Sequence, residues 1–205
     1  MSSPRGSNPP GSPFAKGGSR GFDGNAHALR PAVFVDRDGV INRRLPGDYV
    51  RAWDQFRFLH GARAGLRLLR EAGYLLIGVT NQRGIGRGLM SETDLAEVHR
   101  RMQTELARAG AGVDLILHCP HDLGADCRCR KPRPGMIEQA LARFSVDTAR
   151  SWVVGDELTD LEAGRAAGIR GVLVVPRGGR RPPGVATAGS LLAAARAIVA
   201  GRRQR

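Results

Sequence analysis

The sequence contains few cysteines, few aromatic residues and no long apolar run, and each shortage excludes a class of protein. Cysteine occurs three times in 205 residues, an odd number that does not suit the disulfide framework of a secreted domain. Aromatic residues make up 5% and are not interleaved with basic residues, as they often are in proteins that bind single-stranded nucleic acids. No apolar run approaches the roughly 18 residues of a membrane span, and the first residues lack the apolar segment of a signal peptide. We therefore expect a cytoplasmic globular protein without a membrane segment or a specific nucleic-acid partner.

The net charge of +13 lies mostly at the two ends of the chain. Residues 1–30 carry +3 and residues 177–205 carry +7, which leaves +3 for everything between them. Such charge attracts polyanions without specificity. Residues 1–30 are also rich in glycine, proline and serine, a composition typical of disordered segments. We predict a folded domain over residues 31–200, between a disordered tail at 1–30 and a basic tail at 201–205.

Apolar strands and amphipathic helices alternate through this domain. Short apolar runs that are typical of buried strands occur at residues 32–36, 74–80, 113–117, 152–155 and 171–175. Helical spacing of apolar residues follows each strand, as in Leu95, Val98 and Met102, where we place Met102 in the core and His99 on the surface. The alternation predicts an α/β fold, a Rossmann-like three-layer sandwich with a parallel sheet.

The loop over residues 42–60 is long for a compact domain, which favours a functional role. We expect it to lie over the end of the first strand and to form one wall of a substrate site, with Tyr49 as a candidate contact. Its two phenylalanines, Phe56 and Phe58, are better explained as core residues. One loop and one helix fill the space between Asp38 and Thr80, so no large cap domain is expected.

Polar side chains cluster where the predicted strands end. The carboxyl ends of parallel strands meet at one edge of a sheet, which is where open α/β folds bind ligands. Carboxylates there suit Mg²⁺, while a hydroxyl, an amide and two cations suit the charged oxygens of a phosphoryl group. Lys131 is also the only lysine of the predicted domain. We expect the strand ends to bring Asp36, Asp38, Thr80, Asn81 and Asp156 to this edge, and the loop before a helix to add Arg130 and Lys131.

All three cysteines lie within one short loop, residues 118–131, which we call the cysteine loop. The spacing Cys119-x-His121-x5-Cys127-x-Cys129 offers three thiolates and an imidazole, the ligand set of a closed structural zinc site. His118 competes with His121 as the fourth ligand. Reduced, unpaired cysteines are the alternative, and a catalytic zinc is disfavoured because four protein ligands leave no open position.

These motifs, in this order, resemble the haloacid dehalogenase (HAD) superfamily of phosphatases. Asp36-x-Asp38-Gly39-Val40 is similar to its first motif, Thr80 to its second, Lys131 to its third, and Gly155-Asp156-x-x-x-Asp160 to its fourth. The resemblance is closer to the D-glycero-D-manno-heptose 1,7-bisphosphate 7-phosphatases and the related histidinol-phosphate phosphatases. Three longer stretches carry it: Asp36-Arg37-Asp38-Gly39-Val40-Ile41-Asn42, Thr80-Asn81-Gln82-x-Gly84-Ile85-x-Arg87-Gly88 and Cys127-x-Cys129-Arg130-Lys131-Pro132.

The resemblance implies a role for each motif. Asp36 would be the nucleophile that forms an aspartyl-phosphate, and Asp38 the general acid and base. Thr80 and Lys131 would stabilise the phosphoryl group. Mg²⁺ would bind Asp36, the backbone carbonyl of Asp38 and Asp156, while Asp160 would only cap or orient the Asp156 turn. The implied contacts to substrate are Arg37, Tyr49, Asn81, Gln82, Arg83 and Arg130, and the implied ligands of a structural Zn²⁺ are Cys119, His121, Cys127 and Cys129.

The implied function is a monomeric, Mg²⁺-dependent phosphatase that removes the 7-phosphate of a heptose 1,7-bisphosphate. The enzyme alternatives are a histidinol-phosphate phosphatase and another small sugar-phosphate phosphatase, and the non-enzyme alternative is a basic scaffold that binds polyanions through its tails. One departure concerns the substrate. The heptose enzymes carry a lysine after the motif-four aspartate, and this sequence has Glu157, which removes one phosphate contact. The cysteine loop is also shorter than in those enzymes.

Overall fold

The computed structural model describes residues 29–202. The predicted tails therefore lie almost entirely outside the described residues. Arg30 already pairs with Val146 in an isolated β-bridge, and the last helix continues to Arg202. The division of the chain into a domain and two tails remains a prediction.

Six strands and six helices make up the described part, with two short 3-10 helices at Trp53–Gln55 and Thr148–Arg150. In chain order they are β1 (Ala32–Val35), α1 (Ala62–Glu71), β2 (Leu75–Asn81), α2 (Arg83–Gly86), α3 (Glu92–Arg108), β3 (Leu115–Cys119), α4 (Gly135–Arg143), β4 (Trp152–Gly155), α5 (Leu158–Ala166), β5 (Arg170–Val174), β6 (Thr187–Ala188) and α6 (Leu191–Arg202).

The strands form one sheet in the order β3-β2-β1-β4-β5-β6, and every pairing is parallel. Helices α1, α3 and α6 pack on one face, and α4 and α5 pack on the other. The predicted three-layer α/β sandwich with a parallel sheet is therefore confirmed, and residues 29–202 contain no large cap domain.

Strand β1 lies in the interior of the sheet, between β2 and β4, and both of its faces are apolar, as a strand covered by helices on both sides requires. Its four residues, Ala32 to Val35, have no exposed surface. Val33 and Val35 belong to the core cluster under α1, α3 and α6, whereas Ala32 and Phe34 face the helices of the other layer. The strand stops at Asp36, and Gly39 turns the chain with a φ of 94°, a conformation that only glycine adopts without strain. The central strand thus delivers its carboxylates to the middle of the sheet edge.

Helix α3 begins at a capping box, because the Ser91 hydroxyl accepts a hydrogen bond from the Asp94 amide, and the Asp94 carboxylate accepts one from the Ser91 amide. Met102 is buried, as expected. His99 is not the surface residue that helical spacing suggested, since it is half-buried and contacts Arg37. The spacing failed there because a polar side chain under the helix supplies a partner that no periodicity reveals.

The structure contains two further short elements that the sequence analysis did not identify. The glycine-rich stretch after β2 contains the single-turn helix α2, and the two-residue strand β6 extends the sheet beyond β5. Phe56 and Phe58 pack in the core as expected. Between residues 29 and 202, none of the helices combines the length and the apolarity needed to cross a membrane.

Candidate active site

A cleft of about 390 Å³ opens at the carboxyl edge of the sheet, above the centre of the fold. Strand ends form its floor, the loop over residues 42–60 forms one wall, and the segments that follow β2 and precede α4 form the other. Its lining residues include Asp36, Asp38, Arg44, Asp48, Tyr49, Thr80, Asn81, Arg83, Arg87, Arg130, Lys131, Glu157 and Asp160. The structure therefore brings the predicted motif residues together in one place.

Lys131 lies at the centre of the floor and is almost fully buried. Its ammonium is 2.5 Å from Asp36 Oδ1 and 2.6 Å from Asp160 Oδ1, and it donates to the Val79 carbonyl oxygen at 2.8 Å. Three acceptors thus satisfy all three of its donors. The pKa of Lys131 is raised despite the opposing effect of burial, because both carboxylates favour the charged form, so the lysine carries its charge into the cleft.

Three carboxylates, those of Asp36, Asp156 and Asp160, approach within 4.8 Å of one another. Burial raises the pKa of Asp36, with Lys131 opposing the rise and the neighbouring aspartates adding to it. Burial likewise raises the pKa of Asp156 to about 6, against the effect of Arg44. Two cations, Lys131 and the Arg44 guanidinium that pairs with Asp156, do not balance three carboxylates, and the hard oxygen donors of these carboxylates fit a Mg²⁺ ion.

The Asp38 side chain is not part of this cluster and is fixed by donors from three residues. Its two oxygens accept hydrogen bonds from Arg37 Nη2 at 3.0 and 2.8 Å, from Asn42 Nδ2 at 2.9 Å and from Gln82 Nε2 at 2.8 Å. Burial acts to raise the pKa of Asp38, but the Arg37 charge and these hydrogen bonds outweigh it and hold the pKa below its usual value. Gln82 also donates to the Thr80 hydroxyl at 2.8 Å, which ties the two motifs together.

The expectation that Arg37 and Gln82 contact substrate needs correction. Both side chains are 1% exposed, and neither lines the cleft. They lie behind Asp38 and donate hydrogen bonds to its carboxylate, as expected for buried polar groups, most of which have hydrogen-bond partners. Asn42 supports Asp38 in the same way, and sequence reasoning missed it because nothing in its spacing points back to the carboxylate.

The other predicted contacts do reach the cleft. Tyr49 comes from the wall formed by residues 42–60, and Arg83 and Arg130 from the opposite wall. Arg83 is held by an ion pair to Asp122 in the cysteine loop. Asn81 exchanges two hydrogen bonds with the backbone of Lys131, both at 3.2 Å, so it positions the loop that carries the lysine as well as lining the cleft.

Arg44 is a cleft residue that the sequence-based prediction missed. Its guanidinium pairs with Asp156 at 3.0 Å and also with Glu157. Glu157, which was expected to remove one phosphate contact, instead binds a cation that lies on the cleft wall. Because the chain is rich in arginine and the two partners lie 113 residues apart, no local signal could have identified the pair.

Asp160 also has a larger role than the turn-capping one expected from its spacing. It does accept a hydrogen bond from the Glu157 amide, at 3.0 Å. Its other oxygen binds Lys131, so the carboxylate connects the start of α5 to the floor of the cleft. In the sequence, only its position four residues after Asp156 indicated that Asp160 lies near the site.

The cysteine loop brings four soft donors together beside the cleft. Cys119 Sγ lies 3.7 Å from Cys127 Sγ and 3.5 Å from His121 Nδ1, which is 3.2 Å from Cys129 Sγ. A tetrahedral zinc with Zn–S bonds of about 2.3 Å would hold two sulfurs about 3.8 Å apart, so the set fits that ion. His118 points away and binds Glu92 at 2.8 Å, which leaves His121 as the fourth donor.

Comparisons with known proteins agree with this geometry. A family model described as HAD-hydrolase-like matches residues 128–193. The D-glycero-alpha-D-manno-heptose-1,7-bisphosphate 7-phosphatase of Mycobacterium tuberculosis is 45% identical over 159 residues, which are 76% of this chain and 84% of the relative. The corresponding beta-heptose enzyme of Pasteurella multocida is 40% identical, over 73% of this chain and 84% of its own length.

A solved structure of the D,D-heptose 1,7-bisphosphate phosphatase of B. bronchiseptica, complexed with magnesium and phosphate, is similar throughout. It has a TM-score of 0.76 and 34% identity, and the match covers 83% of this chain and 99% of that one. The parallel sheet, the order of the motifs and these similarities have one explanation. This chain belongs to the HAD-like hydrolases and, within them, to the family of the heptose-1,7-bisphosphate 7-phosphatases.

Proposed function

We propose that this protein is a Mg²⁺-dependent phosphatase that removes the 7-phosphate of a D-glycero-D-manno-heptose 1,7-bisphosphate. The observation that carries the proposal is the pairing of two carboxylates with different environments at the end of β1. Asp36 faces Lys131 and the other acids, whereas Asp38 is held apart by hydrogen-bond donors. Such a difference between neighbouring carboxylates is typical of a nucleophile beside a general acid and base.

Asp36 is the nucleophile in this proposal. Its carboxylate oxygen attacks the phosphorus of the 7-phosphate, the bond from phosphorus to the sugar oxygen breaks, and an aspartyl-phosphate forms. Lys131 and Thr80 offset the charge on the phosphoryl oxygens, since both line the cleft next to Asp36. When bound, Mg²⁺ supplies charge neutralisation between the nucleophile and the phosphate, and Asp36, Asp156 and the Asp38 carbonyl would hold it, with Asp160 close by.

Asp38 is the general acid in the first half-reaction and the general base in the second. It is ionised in the free enzyme, and the approach of a phosphate dianion raises its pKa so that it carries a proton. That proton passes to the departing sugar oxygen. The resulting carboxylate then takes a proton from water, whose oxygen attacks the aspartyl-phosphate, releases inorganic phosphate and restores Asp36.

The charge around the cleft favours a substrate with a second anion. Arg83, Arg87 and Arg130 line one wall, and Arg44 lines the other. A heptose 1,7-bisphosphate presents its 1-phosphate to these cations while the 7-phosphate occupies the floor. Histidinol phosphate would instead bring a cationic amine to an arginine-rich rim, which is electrostatically unfavourable.

We also propose that a structural Zn²⁺ is bound by Cys119, His121, Cys127 and Cys129. The convergence of the four donor atoms supports it. The last of these ligands is separated from Lys131 by a single residue, Arg130. Zinc would therefore fix the segment that aims both cations at the phosphates, without taking part in the chemistry.

The test is phosphate release from the alpha and beta anomers of the heptose 1,7-bisphosphate and from histidinol phosphate, with and without Mg²⁺. We expect release from a bisphosphate only, with the 1-phosphate retained in the product and no turnover without Mg²⁺. Asp36→Asn is the control, because it keeps the side-chain shape but lacks a nucleophilic carboxylate. Preference for histidinol phosphate, or full activity of Asp36→Asn, would overturn the proposal.

A further inference from the structure

Arg37, which stands between the two aspartates of the first motif in the sequence, is unusual because its charged side chain is buried. It is 1% exposed and is among the largest fully buried side chains of residues 29–202. Nη2 donates to both oxygens of Asp38 and to Gln82 Oε1 at 3.2 Å, whereas Nε has no partner. The Nη2 end of the guanidinium thus binds Asp38 and Gln82. The orientation of the whole guanidinium therefore depends on what binds its other end, Nη1.

His99 holds that other end. Its Nε2 lies 3.1 Å from Arg37 Nη1, although 62 residues separate the two in sequence and His99 belongs to α3, outside the cleft lining. A guanidinium has five N–H donors, no acceptor and no accessible neutral form. His99 must therefore accept the hydrogen bond, which makes it a neutral imidazole with its proton on Nδ1.

The surroundings of His99 suit the neutral form. Burial lowers its pKa to about 3, and the charges of Arg37 and His118 act in the same direction, while Asp38 opposes them. The neighbouring His118 is occupied by Glu92 and does not compete for Arg37. His99 is thus set up as a permanent acceptor, and it is the only partner of Nη1 among the side chains that the structure describes.

We propose that His99 is a positioning residue, which fixes the Arg37 guanidinium and through it the Asp38 carboxylate in the orientation needed for proton transfer. This inference rests on the role proposed above for Asp38. Without His99, a buried donor loses its acceptor, and the guanidinium turns to find another. The two hydrogen bonds to Asp38 then change direction, and the carboxylate moves relative to the leaving oxygen.

The closing experiment uses three substitutions of His99 that differ in whether they can accept from Arg37. Gln places an amide oxygen near the position of Nε2, Asn carries the same amide but is too short, and Leu has no acceptor. We expect kcat on the bisphosphate to fall about 10- to 100-fold in His99→Leu and His99→Asn, which is the scale of misplaced general acid–base catalysis. His99→Gln should stay within about threefold of wild type, and KM should change little in all three because His99 does not line the cleft.

A second substrate separates positioning from a general loss of structure. The nitrophenolate of p-nitrophenyl phosphate leaves without protonation, so this ester should lose only the general-base contribution of Asp38, whereas the sugar phosphate loses the general-acid contribution as well. We expect His99→Leu and Asp38→Asn to share this pattern, with a large loss on the sugar phosphate and a smaller one on the aryl ester. Gln103→Leu is the matched control, because Gln103 anchors the same helix to the Val113 backbone and should leave both rates unchanged.

Wild-type kcat in His99→Leu, or an equal loss in His99→Gln and His99→Asn, would overturn the positioning role and leave the proposed function standing. If Asp38→Asn shows the leaving-group pattern and His99→Leu does not, the role is overturned as well. A wild-type protein that releases phosphate from neither ester overturns the proposed function and this role together. If His99→Leu does not fold, the comparison of Gln with Asn decides.

Discussion

Replacing Asp156 by asparagine should stabilise the Mg²⁺-free protein, although it removes a proposed metal ligand. Burial raises the pKa of Asp156 from 3.8 to about 6, with Asp160 and Glu157 adding to the rise against Arg44. A carboxylate whose pKa is raised by folding is less stable as an anion in the native state than in the unfolded chain. Asparagine is almost the same size and carries no charge, so it avoids this penalty.

The linkage between proton binding and folding gives the size and the sign of the effect of Asp156 on the free energy of unfolding. Below pH 3.8 both states hold the proton, and Asp156 contributes nothing. As the pH rises, the unfolded state loses the proton first, so the native state loses stability until the pH passes about 6. The pKa rise from 3.8 to about 6, at about 1.36 kcal/mol per pKa unit, makes the full penalty about 3 kcal/mol at pH 8 and about half of that at pH 5.

Urea denaturation in Mg²⁺-free buffer at pH 5 and pH 8 measures the effect. Asp156→Asn should exceed wild type in free energy of unfolding by up to about 3 kcal/mol at pH 8, and by about half as much at pH 5. Mg²⁺ should then raise wild-type stability more than that of the variant. The exposed Asp54→Asn serves as the control and should change neither value. If Asp156→Asn is less stable than wild type at pH 8 without Mg²⁺, the electrostatic reasoning is refuted.

Three further substitutions test the site. Cys129→Ser should lower the zinc content measured by elemental analysis and speed hydrogen exchange in the cysteine loop, while the amides of the sheet keep their protection; equal loss of protection everywhere would count against a local role. Lys131→Met leaves two buried carboxylates without their counter-charge, so kcat should fall at least about 100-fold, and a kcat near wild type would contradict the assigned role. Glu157→Lys removes one of the two acidic partners of Arg44, leaving Asp156, and adds a cation to the cleft wall. We expect KM for the bisphosphate to fall about two- to tenfold, while KM for a sugar monophosphate stays constant; a higher KM for the bisphosphate would show that the pair itself forms the subsite.

The floor of the cleft was predictable because it depends on topology alone. Once alternating strands and helices indicate a parallel sheet, the residues at strand ends must share an edge. That rule was sufficient to predict that Asp36, Thr80 and Asp156 lie close together. It also placed Lys131, since the loop before α4 returns the chain to the same edge. Strand β6 was not predicted, because it has only two residues and such a short segment shows no apolar run or periodicity.

The groups that support the floor were not predictable in the same way. Asn42, Arg44 and His99 act through partners on other elements, and their contacts depend on side-chain distances that sequence spacing does not encode. Helical spacing even assigned His99 to the surface, because a histidine between apolar positions of a helix is normally exposed. The family resemblance implied a substrate contact for Arg37, but a position between two motif aspartates says only that the residue is near the site, not on which side of the carboxylates its side chain lies.

The composition contained one clue whose meaning only the geometry supplies. Lys131 is the single lysine of residues 29–202, in a chain that otherwise uses arginine for its cations. Its ammonium sits among three acceptors, at 2.5, 2.6 and 2.8 Å, from three different segments of the fold. A compact group with three donors can satisfy acceptors arranged around a point, whereas a planar guanidinium directs its five donors outward in one plane and needs more room. At the rim, where the cleft is open and phosphate oxygens can be bound side-on, arginine is the better residue. The division between one buried lysine and several rim arginines therefore follows from the shapes of the two cations.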